Sequence, residues 1–536
     1  MLPLKDKDKP VVQKLLSAGC CARCVLRFCC VRVQAAYRRP QQEILKDLQD
    51  FLHGPEKNQC DVSTDNKSCD PVVSEAAADP PSKRAKLETD LSDDGQAEAA
   101  AAAAAAIITE THCVCVVCLG VLQEFSDTDQ AVKIAEAVKT EKYEFDSLVL
   151  SVSLPAQLCV REHSCWLHVK KEVREKSPLL DKEDIVPLKE AYKWLVQSTI
   201  STELGGVFVV TKSPLEVAVE FSHNPTDSDC HFLGSTCPDC FKPTKNKQSV
   251  FTRMAVVKAL EKISEAKFLR HYSCPPTQPS SSCVLQGIQC LHQSVFIAGR
   301  YNKFCRSLPQ TPWLIDGERR MESSVEELIA APVLSAFRAN GFNFSSSGRE
   351  DVDVRTLGNG RPFAMELLNP HRARLNVQDM KQLQESINVS SDKIRVRDLQ
   401  IVSREAMGRM KEGEEEKTKT YTALIWTRKP IKKEDIAFIS DIKELTLDQK
   451  TPLRVLHRRA LAVRQRVVHS MNTRFLDAHH FHLELKTQAG TYVKEFVHGD
   501  FGRTKPNLCD LLKMDTDILE LDVESVDVDW PPSIQE

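Results

Sequence analysis

Two C-x-x-C pairs constrain most strongly what this chain can fold into, because they must meet across a long segment of different composition. The pairs are Cys21/Cys24 and Cys115/Cys118. Each pair can place two thiolates on one edge of a metal ion, and two pairs supply the four sulfur ligands of a tetrahedral structural zinc site. No water-activating His/Glu pattern accompanies the cysteines. The sequence therefore predicts a structural zinc bound by Cys21, Cys24, Cys115 and Cys118.

Other cysteines leave this assignment open. A third pair, Cys237/Cys240, competes for the metal, and four neighbouring cysteines are candidate substitutes for single ligands: Cys20, Cys29, Cys30 and Cys113. The start of the chain is charged and lacks the apolar core of a secretory signal. We therefore expect an intracellular, soluble protein, in which the 20 cysteines are metal ligands or free thiols before they are disulfides.

The segment between the pairs differs from the rest of the chain. Residues 56–106 are dominated by Asp, Ser, Pro, Lys and Ala, contain no aromatic residue and end in the eight alanines Ala99–Ala106. Such a segment cannot bury enough apolar surface to fold, so we predict a disordered insertion after an N-terminal zinc-knuckle segment, residues 1–55. The basic cluster at 81–87 is a candidate nuclear import signal, which predicts nuclear and cytoplasmic localisation and leaves a mitochondrial pool open.

Length and patterning predict two further domains. The 536 residues carry 72 Lys+Arg against 75 Asp+Glu, so net charge alone does not indicate a nucleic-acid binder, and no apolar run is long enough to cross a membrane. Residues 107–300 mix strand-like runs at 147–153, 206–211 and 217–221 with a helical pattern at 255–266, as in an α/β or α+β domain. Residues 301–536 form a second α+β region, with strands predicted at 419–426, 481–486 and 519–526.

A turn rich in small residues introduces the candidate nucleophile. Residues 345–351 read Ser-Ser-Ser-Gly-Arg-Glu-Asp, and the alternating run Val352–Arg355 predicts that a strand follows Asp351 directly. Such a turn presents a side chain without bulk around it, and an acid beside guanidinium groups is favoured in its ionised form. An ionised aspartate is what nucleophilic catalysis requires. From this motif alone, a polar hairpin turn is the commoner interpretation.

Three elements further along the chain favour the catalytic interpretation. Tyr421 opens an apolar strand, where its ring could stack on a base. The stretch 449–475 carries seven Lys or Arg residues and no acid before Asp477, which suits a phosphate backbone. Residues 486–500 predict a strand, a Gly-Thr turn and a helix whose first turn points Lys494 inward. Taken singly, Tyr421 and Lys494 also fit ordinary structural or solvated positions.

Together, Gly-Arg-x-Asp and the downstream Gly-Thr-Tyr-Val-Lys resemble the pseudouridine synthase superfamily. Residues 290–536 are similar to the archaeal and eukaryotic tRNA pseudouridine synthases that act on the TΨC loop (the tenth eukaryotic family). The N-terminal half also resembles this family, with its cysteine knuckles. The resemblance implies a catalytic domain with a mixed, mainly antiparallel sheet and flanking helices, and a zinc-bearing, THUMP-containing accessory domain.

The resemblance also implies roles for particular residues. Asp351 matches the nucleophile, and Arg349 matches an arginine that replaces the flipped-out uridine or holds the aspartate. Tyr421 matches the tyrosine that stacks on the base and assists removal of the ring proton, and Lys494 matches the basic partner of the aspartate. Two loops, called forefinger and thumb in the family, and the pocket walls would contact RNA through Thr311, Trp313, Arg319, Arg320, Ser324, Gln449, Lys450, Arg454, His457, Arg458, Arg459, Arg464, Val493 and Leu521.

The predicted function is a monomeric, cofactor-independent enzyme that isomerises uridine to pseudouridine at positions 54 and 55 of the tRNA TΨC loop, or at one of them. An alternative from another class is a nuclear RNA-binding factor that promotes primary microRNA processing, together with its processing complex, independently of catalysis. The intact Asp351, Tyr421 and Lys494 set argues against RNA binding as the only role. A metal-dependent nuclease or deaminase is disfavoured because no catalytic zinc pattern is present.

Overall fold

The computed structural model describes residues 2–54, 113–124, 128–173, 181–242, 250–410 and 417–534. The predicted insertion at 56–106, with its alanine run and basic cluster, lies outside these residues. The chain divides into two compact units. The first comprises Met1–Ala135, Leu150–Gly206 and Ala218–Ile288, and the second comprises Glu136–Val149, Val207–Val217 and Gln289–Glu536. The domain boundaries predicted near residues 55, 106 and 300 stay predictions.

The helices before residue 300 differ in burial, since Leu188–Glu203 buries one face whereas every residue of Ala22–Phe28 is buried. They are Lys9–Ser17, Ala22–Phe28, Gln34–Arg38, Gln41–His53, Thr128–Glu141, Gln157–Val173, Leu188–Glu203, His231–Thr236, Arg253–Lys262 and Glu265–His271. The single helix predicted at 255–266 is wrong. It is divided because Ile263 leaves the helical conformation (ψ 133°) and Ser264 begins the next helix in an extended conformation.

The later helices lie between strands of the second unit. They are Val325–Phe337, Val377–Ser390, Arg404–Arg409, Lys433–Ala437, Val493–His498 and Leu508–Leu512. No helix in the described part of the chain is long and apolar enough to span a bilayer.

The strands build two sheets and one hairpin. In chain order they are β1 (Ser147–Ser153), β2 (Phe208–Val209), β3 (Leu215–Ser222), β4 (Val284–His292), β5 (Val295–Lys303), β6 (Leu314–Ile315), β7 (Glu318–Arg319), β8 (Gly341–Ser346), β9 (Arg355–Leu368), β10 (Ile394–Val402), β11 (Thr418–Thr427), β12 (Lys443–Lys450), β13 (Val463–Asp477), β14 (His480–Gln488), β15 (Thr504–Lys505) and β16 (Thr516–Val526). The smaller sheet has the order β2-β1-β3-β4.

The larger sheet carries the candidate site. Its order is β10-β5-β9-β16-β11-β14-β13-β12-β15, with β8 paired to β9, and it is antiparallel except where β16 runs parallel to β9. The strands predicted at 419–426, 481–486 and 519–526 are β11, β14 and β16, whereas the run at 206–211 contributes only the two residues of β2. The predicted α+β class with a mixed, mainly antiparallel sheet is confirmed.

One hydrophobic cluster fixes the helix that carries Lys494. Val493, Phe496 and Val497 on one face of that helix pack with Leu483 of β14 and Leu521 of β16. Lys494 lies between the buried residues Val493 and Glu495, in the first turn. The predicted strand, turn and helix over 486–500 are therefore confirmed: β14 ends at Gln488, Gly490 turns with φ +81°, and the helix follows.

Candidate active site

A pocket of about 660 Å³ opens in the second unit. Its apolar wall is made of side chains from the large sheet and the helix Val493–His498, and the remainder is mainly cationic. The lining includes Arg349, Asp351, Val354, Lys419, Tyr421, Arg454, Arg458, Arg459, Arg464, Arg466, Val493, Lys494, Leu521 and Val523. The structure thus brings together residues that the sequence analysis selected from five separate stretches of the chain.

Asp351 is surrounded by cations. Its Oδ2 lies 2.8 Å from Arg454 Nη1 and 3.5 Å from Lys494 Nζ, and its Oδ1 lies 3.9 Å from Arg458 Nη2. The carboxylate remains partly open to the pocket, with 31% of its side chain exposed. Charge-assisted contacts hold the carboxylate in place while one side of it stays open to the pocket, an arrangement suited to nucleophilic attack.

Lys494 is shared between two acids. Its Nζ lies 2.7 Å from Asp353 Oδ2, closer than to Asp351. Burial acts to raise the pKa of Asp353, but the hydrogen bond and charge of Lys494 outweigh it and lower that pKa. Arg454 is shared in the same way, since its Nε lies 2.6 Å from Oε1 of the buried Glu495.

Asp351 lies in a loop and not at the start of a strand. The aspartate loop, residues 347–354, connects β8 to β9, and β9 begins only at Arg355. The strand predicted over Val352–Arg355 is wrong. A tertiary contact occupies backbone carbonyl groups that a strand would pair with its neighbour. Lys303, at the end of β5 and fully buried, donates to the carbonyl oxygens of Leu308 (2.7 Å), Asp351 (3.1 Å) and Val352 (2.9 Å).

A buried ion pair holds the loop next to Asp351. Glu350 Oε2 lies 2.7 Å from Arg361 Nε, and neither side chain is more than 2% exposed. Tyr301 Oη donates to Glu350 at 2.7 Å, and Arg361 Nη1 donates to the carbonyl of Ser347 at 2.7 Å. Gly348 is required here, since it adopts φ +91° and an added Cβ would lie 2.7 Å from Arg361 Nη1.

Sequence reasoning missed these supporting residues. Glu350 and Arg361 could have been paired as two charges flanking one loop, but Lys303 binds only backbone carbonyls and its strand gives no sign of them. Arg349, expected beside the aspartate, is exposed in the pocket lining, and the cations that contact Asp351 are Arg454, Lys494 and Arg458.

Tyr421 and the apolar residues form the other wall. Tyr421 lies on β11 between Leu485 of β14 and Val523 of β16. Burial raises the pKa of Tyr421, Arg361 partly offsets this and Glu350 adds to it, so the phenol is neutral near pH 7. Val493 and Leu521 are 5% and 7% exposed. A neutral ring beside buried aliphatic groups is a surface on which a planar base can stack.

The basic loop, residues 451–462, brings further cations to the pocket. Arg458 and Arg459 are exposed, and Arg464 Nη1 donates to Thr451 Oγ1 at 3.1 Å. Burial and the nearby Arg349 lower the pKa of Arg458, while Asp351 acts in the opposite direction. Of the other residues predicted here, Lys450 and His457 are exposed, and neither lines the pocket.

The predicted forefinger loop contains the exposed hairpin β6–β7. Its turn is Asp316-Gly317, with φ values of 53° and 81°, as an Asp-Gly hairpin turn requires. Trp313 is 43% exposed, Thr311 is partly buried, Arg319 pairs with Glu327, and Arg320 lies 3.6 Å from Glu318. These side chains do not line the pocket.

The structure corrects two of the predicted RNA contacts. Ser324 is fully buried and caps the helix Val325–Phe337 by accepting from the Glu327 amide at 3.2 Å. Gln449 is 1% exposed, accepts from the Tyr492 amide at 2.9 Å and donates to the Tyr492 carbonyl at 3.0 Å. Both side chains bond to the protein itself, so in this structure they position backbone and are not presented at the surface.

The four predicted metal ligands meet in the first unit. The sulfur atoms of Cys21, Cys24, Cys115 and Cys118 lie within 4.8 Å of one another, and all four residues are buried. Cys21 Sγ is 3.8 Å from Cys118 Sγ, and sulfurs bound tetrahedrally at about 2.3 Å from zinc would be about 3.8 Å apart. The Cys21 amide donates to Cys115 Sγ at 3.3 Å. The group therefore fits a tetrahedral metal ion.

The competing pair is placed elsewhere in the same unit. Cys237 and Cys240 pack at the edge of a hydrophobic cluster, and Cys237 Sγ lies 3.8 Å from the carbonyl of Ala259. Within the described ranges, no second group of three or more Cys, His, Asp or Glu side chains has the geometry to hold a metal ion.

Comparison with known proteins identifies the family. A model described as Pus10, C-terminal, matches residues 296–527, and one described as eukaryotic Pus10, N-terminal, matches residues 115–290. A Mus musculus protein named tRNA pseudouridine synthase Pus10 is 58% identical over 543 residues that cover all of both chains. The chain belongs to the Pus10 family. The predicted family and enzyme class are thereby confirmed.

More distant Pus10 relatives match different shares of the chain. A Drosophila melanogaster protein named putative tRNA pseudouridine synthase Pus10 is 31% identical over 540 residues, 98% of each chain. The Pus10 of Thermofilum pendens is 40% identical over 236 residues, which cover 44% of this chain and 52% of that one. The entire pocket lies inside the match to the Pus10 C-terminal model, and the match to the N-terminal model begins at Cys115.

Proposed function

We propose that the protein converts uridine to pseudouridine in the TΨC loop of tRNA, at position 54, position 55 or both, with Asp351 as the nucleophile. The observation that carries this proposal is the contact of Asp351 with Arg454 and Lys494 in the pocket that Tyr421 also lines. Membership of the Pus10 family supports tRNA as the substrate, because the full-length relatives are named tRNA pseudouridine synthases.

The reaction breaks one bond and makes another without a redox step. The ionised Asp351 adds to the uridine, at the base or at its ribose, and the N1–C1′ bond breaks. The uracil turns in the pocket, and its C5 bonds to C1′ as the aspartate is released. The C5 proton leaves and N1 carries a proton in the product, so the product is an isomer of the substrate and no cofactor is consumed.

The other pocket residues position the base and the phosphates. Tyr421, a neutral phenol, stacks on the uracil between Val493 and Leu521, and its hydroxyl assists removal of the C5 proton by accepting it while passing its own O–H proton to solvent. Arg349, as the family resemblance implies, takes the place of the flipped-out uridine or holds the aspartate, and the cations of the basic loop contact the backbone of the extruded nucleotide. Extrusion from a loop costs less than extrusion from a duplex, which suits a tRNA loop as the target.

We expect the first unit to contribute to RNA binding and its fold to be stabilised by a bound zinc ion. Four thiolates in a buried tetrahedral set suit zinc, and its role there is structural because the four cysteines leave no open position. We expect one zinc per chain by elemental analysis, and a metal-free chain that folds normally would contradict this. A THUMP-type module and a nuclear and cytoplasmic distribution remain parts of the same proposal.

The test is pseudouridine mapping on a T-loop tRNA transcript. Wild-type protein is expected to form pseudouridine in the TΨC loop, and Asp351→Asn is expected to bind tRNA without modifying it. Asp353→Asn is the matched control, since it removes the other acid on Lys494 and should retain measurable activity. If wild-type protein binds RNA tightly but modifies nothing, the nuclear primary microRNA-binding alternative replaces the enzymatic proposal for this substrate.

A further inference from the structure

Four consecutive residues beside the basic loop adopt left-handed backbone conformations. Gly499, Asp500, Phe501 and Gly502 have φ values of 77°, 46°, 55° and 78°. The two glycines accept this conformation freely, but Asp500 and Phe501 carry a Cβ. Aspartate tolerates the left-handed region better than most residues, whereas a bulky aromatic residue there is unusual. Phe501 is therefore the strained position of this turn.

The turn is held in place by its own hydrogen bonds. Asp500, 6% exposed, donates its amide to His498 Nδ1 at 3.1 Å and accepts from the Arg503 amide at 3.1 Å. Arg503 Nη2 donates to the carbonyl of Thr451 at 2.7 Å. None of these bonds uses the side chain of Phe501, so the surrounding structure fixes the conformation and does not need the ring.

Two further hydrogen bonds join the turn to the segment that carries Arg454. The Leu453 amide donates to Asp500 Oδ2 at 3.3 Å, and the next residue, Arg454, contacts Asp351 at 2.8 Å. The turn is thus one hydrogen bond and one residue away from a group that touches the nucleophile. Lys450, the last residue of β12 before the basic loop, donates its amide to the carbonyl of Arg503 at 3.0 Å.

The ring of Phe501 is almost fully exposed among the residues that the structure describes. Phe501 is 94% exposed, the highest value of any large hydrophobic side chain among the described residues. Its nearest charged neighbours in sequence outside the turn are Arg503 and Lys505, and Lys505 is exposed. The one acid of the turn, Asp500, is buried and lies 3.5 Å from Arg503. An exposed aromatic ring followed closely in sequence by cations, with its neighbouring acid buried, suits the chemistry of an unpaired nucleobase on a phosphate backbone.

We propose that Phe501 is a base-stacking residue, held out of the core by this turn so that it stacks on an unpaired nucleobase of the substrate RNA. The proposal rests on the proposed function for the identity of the RNA, a tRNA. It goes beyond that function because it assigns a base contact outside the pocket that holds the target uridine. The turn presents the ring in a strained conformation. A smaller residue would be more stable at this position, so we attribute the strained aromatic residue to a role in binding.

The test separates stability from affinity with one substitution. Phe501→Asn removes the ring and places at φ 55° a residue that favours this conformation. We expect an unchanged or higher unfolding temperature together with a roughly 10-fold higher Kd for tRNA, since base stacking on an aromatic residue has about this size. Phe501→Trp should keep the wild-type Kd. The slope of log Kd against log salt should stay the same, because no charge is removed.

The control and the contrary outcomes are specific. Val389→Ala trims another exposed apolar residue, 87% exposed on the helix Val377–Ser390, and should change neither Kd nor stability. Measured in the Asp351→Asn background, a wild-type Kd for Phe501→Asn overturns the stacking proposal, as does an equal loss of affinity for Phe501→Trp. If Phe501→Asn lowers the unfolding temperature, Phe501→Ala and Phe501→Trp decide the question by their Kd values.

The two proposals fail separately. Pseudouridine formation by wild-type protein with an unchanged KM for Phe501→Asn leaves the proposed function intact and removes the stacking role. Absence of pseudouridine in wild-type reactions, with a weaker Kd for Phe501→Asn, removes the enzymatic proposal and leaves Phe501 as an RNA contact.

Discussion

The aspartate loop and the basic loop both line the pocket, but the protein holds them in opposite ways. Buried charged residues hold the aspartate loop. Lys303 donates to its backbone carbonyl oxygens, and Arg361 pairs with Glu350. The basic loop is closed by Thr451, which bonds Ala460 and Ala462, and most of its remaining side chains are exposed. In the proposed reaction, one loop has to hold the nucleophile within a fraction of an ångström, and the other needs only to carry charge along a flexible ligand.

The two loops should also differ in how substitutions affect stability, turnover and RNA affinity. A buried charge that loses its partner costs several kcal/mol, whereas an exposed cation that loses its charge costs almost nothing in stability. Substitutions in the support of the aspartate loop should therefore lower stability and turnover. Substitutions of basic-loop cations that pair with no acid, such as Arg459, should change RNA affinity and leave stability nearly unchanged, whereas Arg454 also pairs with the buried Glu495 and with Asp351.

The largest effect is expected at Glu350. Glu350→Gln leaves the buried Arg361 guanidinium without its counter-charge, so we expect the free energy of unfolding to fall by about 3–5 kcal/mol. Asp515→Asn is the matched control, because it breaks the exposed Arg428–Asp515 pair (2.7 Å) and should cost less than about 1 kcal/mol. Chemical denaturation measures both. Equal losses for the two variants would remove the distinction between a buried and an exposed support.

An intermediate effect is expected at Lys303. Lys303→Met removes the donor to three carbonyl oxygens, and the displaced nucleophile should lower kcat roughly 100-fold with little change in the Kd for tRNA. Lys303→Arg, which keeps the charge, should lose less. Single-turnover kinetics separates this outcome from a loss of binding, and an unchanged kcat for Lys303→Met would show that the loop holds its position without this lysine.

The buried Lys303 also leads us to predict that stability and activity depend on pH. Burial lowers its pKa from 10.5 to about 8, and Glu350 opposes the shift. The unfolded chain therefore binds more protons than the folded one between about pH 8 and 10.5, so this group makes stability rise with pH in that window. Activity should fall above about pH 8, because neutral Lys303 has one donor fewer for the loop carbonyls. The unfolding free energy of wild type relative to Lys303→Met, compared at pH 7 and pH 10, checks the sign.

The same contrast explains what could be read from the sequence. Periodicity located β11, β14 and β16 and the turn before Lys494, because those elements follow local patterns that the tertiary structure keeps. The cysteine pairs predicted the buried four-sulfur group because the C-x-x-C spacing by itself places two thiolates on one metal ion. The loop conformation after Asp351 was not predictable, since a lysine some fifty residues earlier captures its carbonyls. Ser324 and Gln449 were misassigned because a polar residue near a substrate loop looks the same whether it binds RNA or backbone.

The smallest effect is expected at Arg459 in the basic loop. Arg459 is exposed, and the aspartate loop does not depend on it, so Arg459→Gln should change the unfolding free energy by no more than about 0.5 kcal/mol. If Arg459 contacts one phosphate, affinity for tRNA should fall a few-fold and the slope of log Kd against log salt should lessen by about 0.9. Arg459→Lys keeps the charge and should keep the slope. A slope unchanged by Arg459→Gln would place the RNA backbone elsewhere, and a loss of stability would mean that the basic loop is supported by more than Thr451 and Asp500.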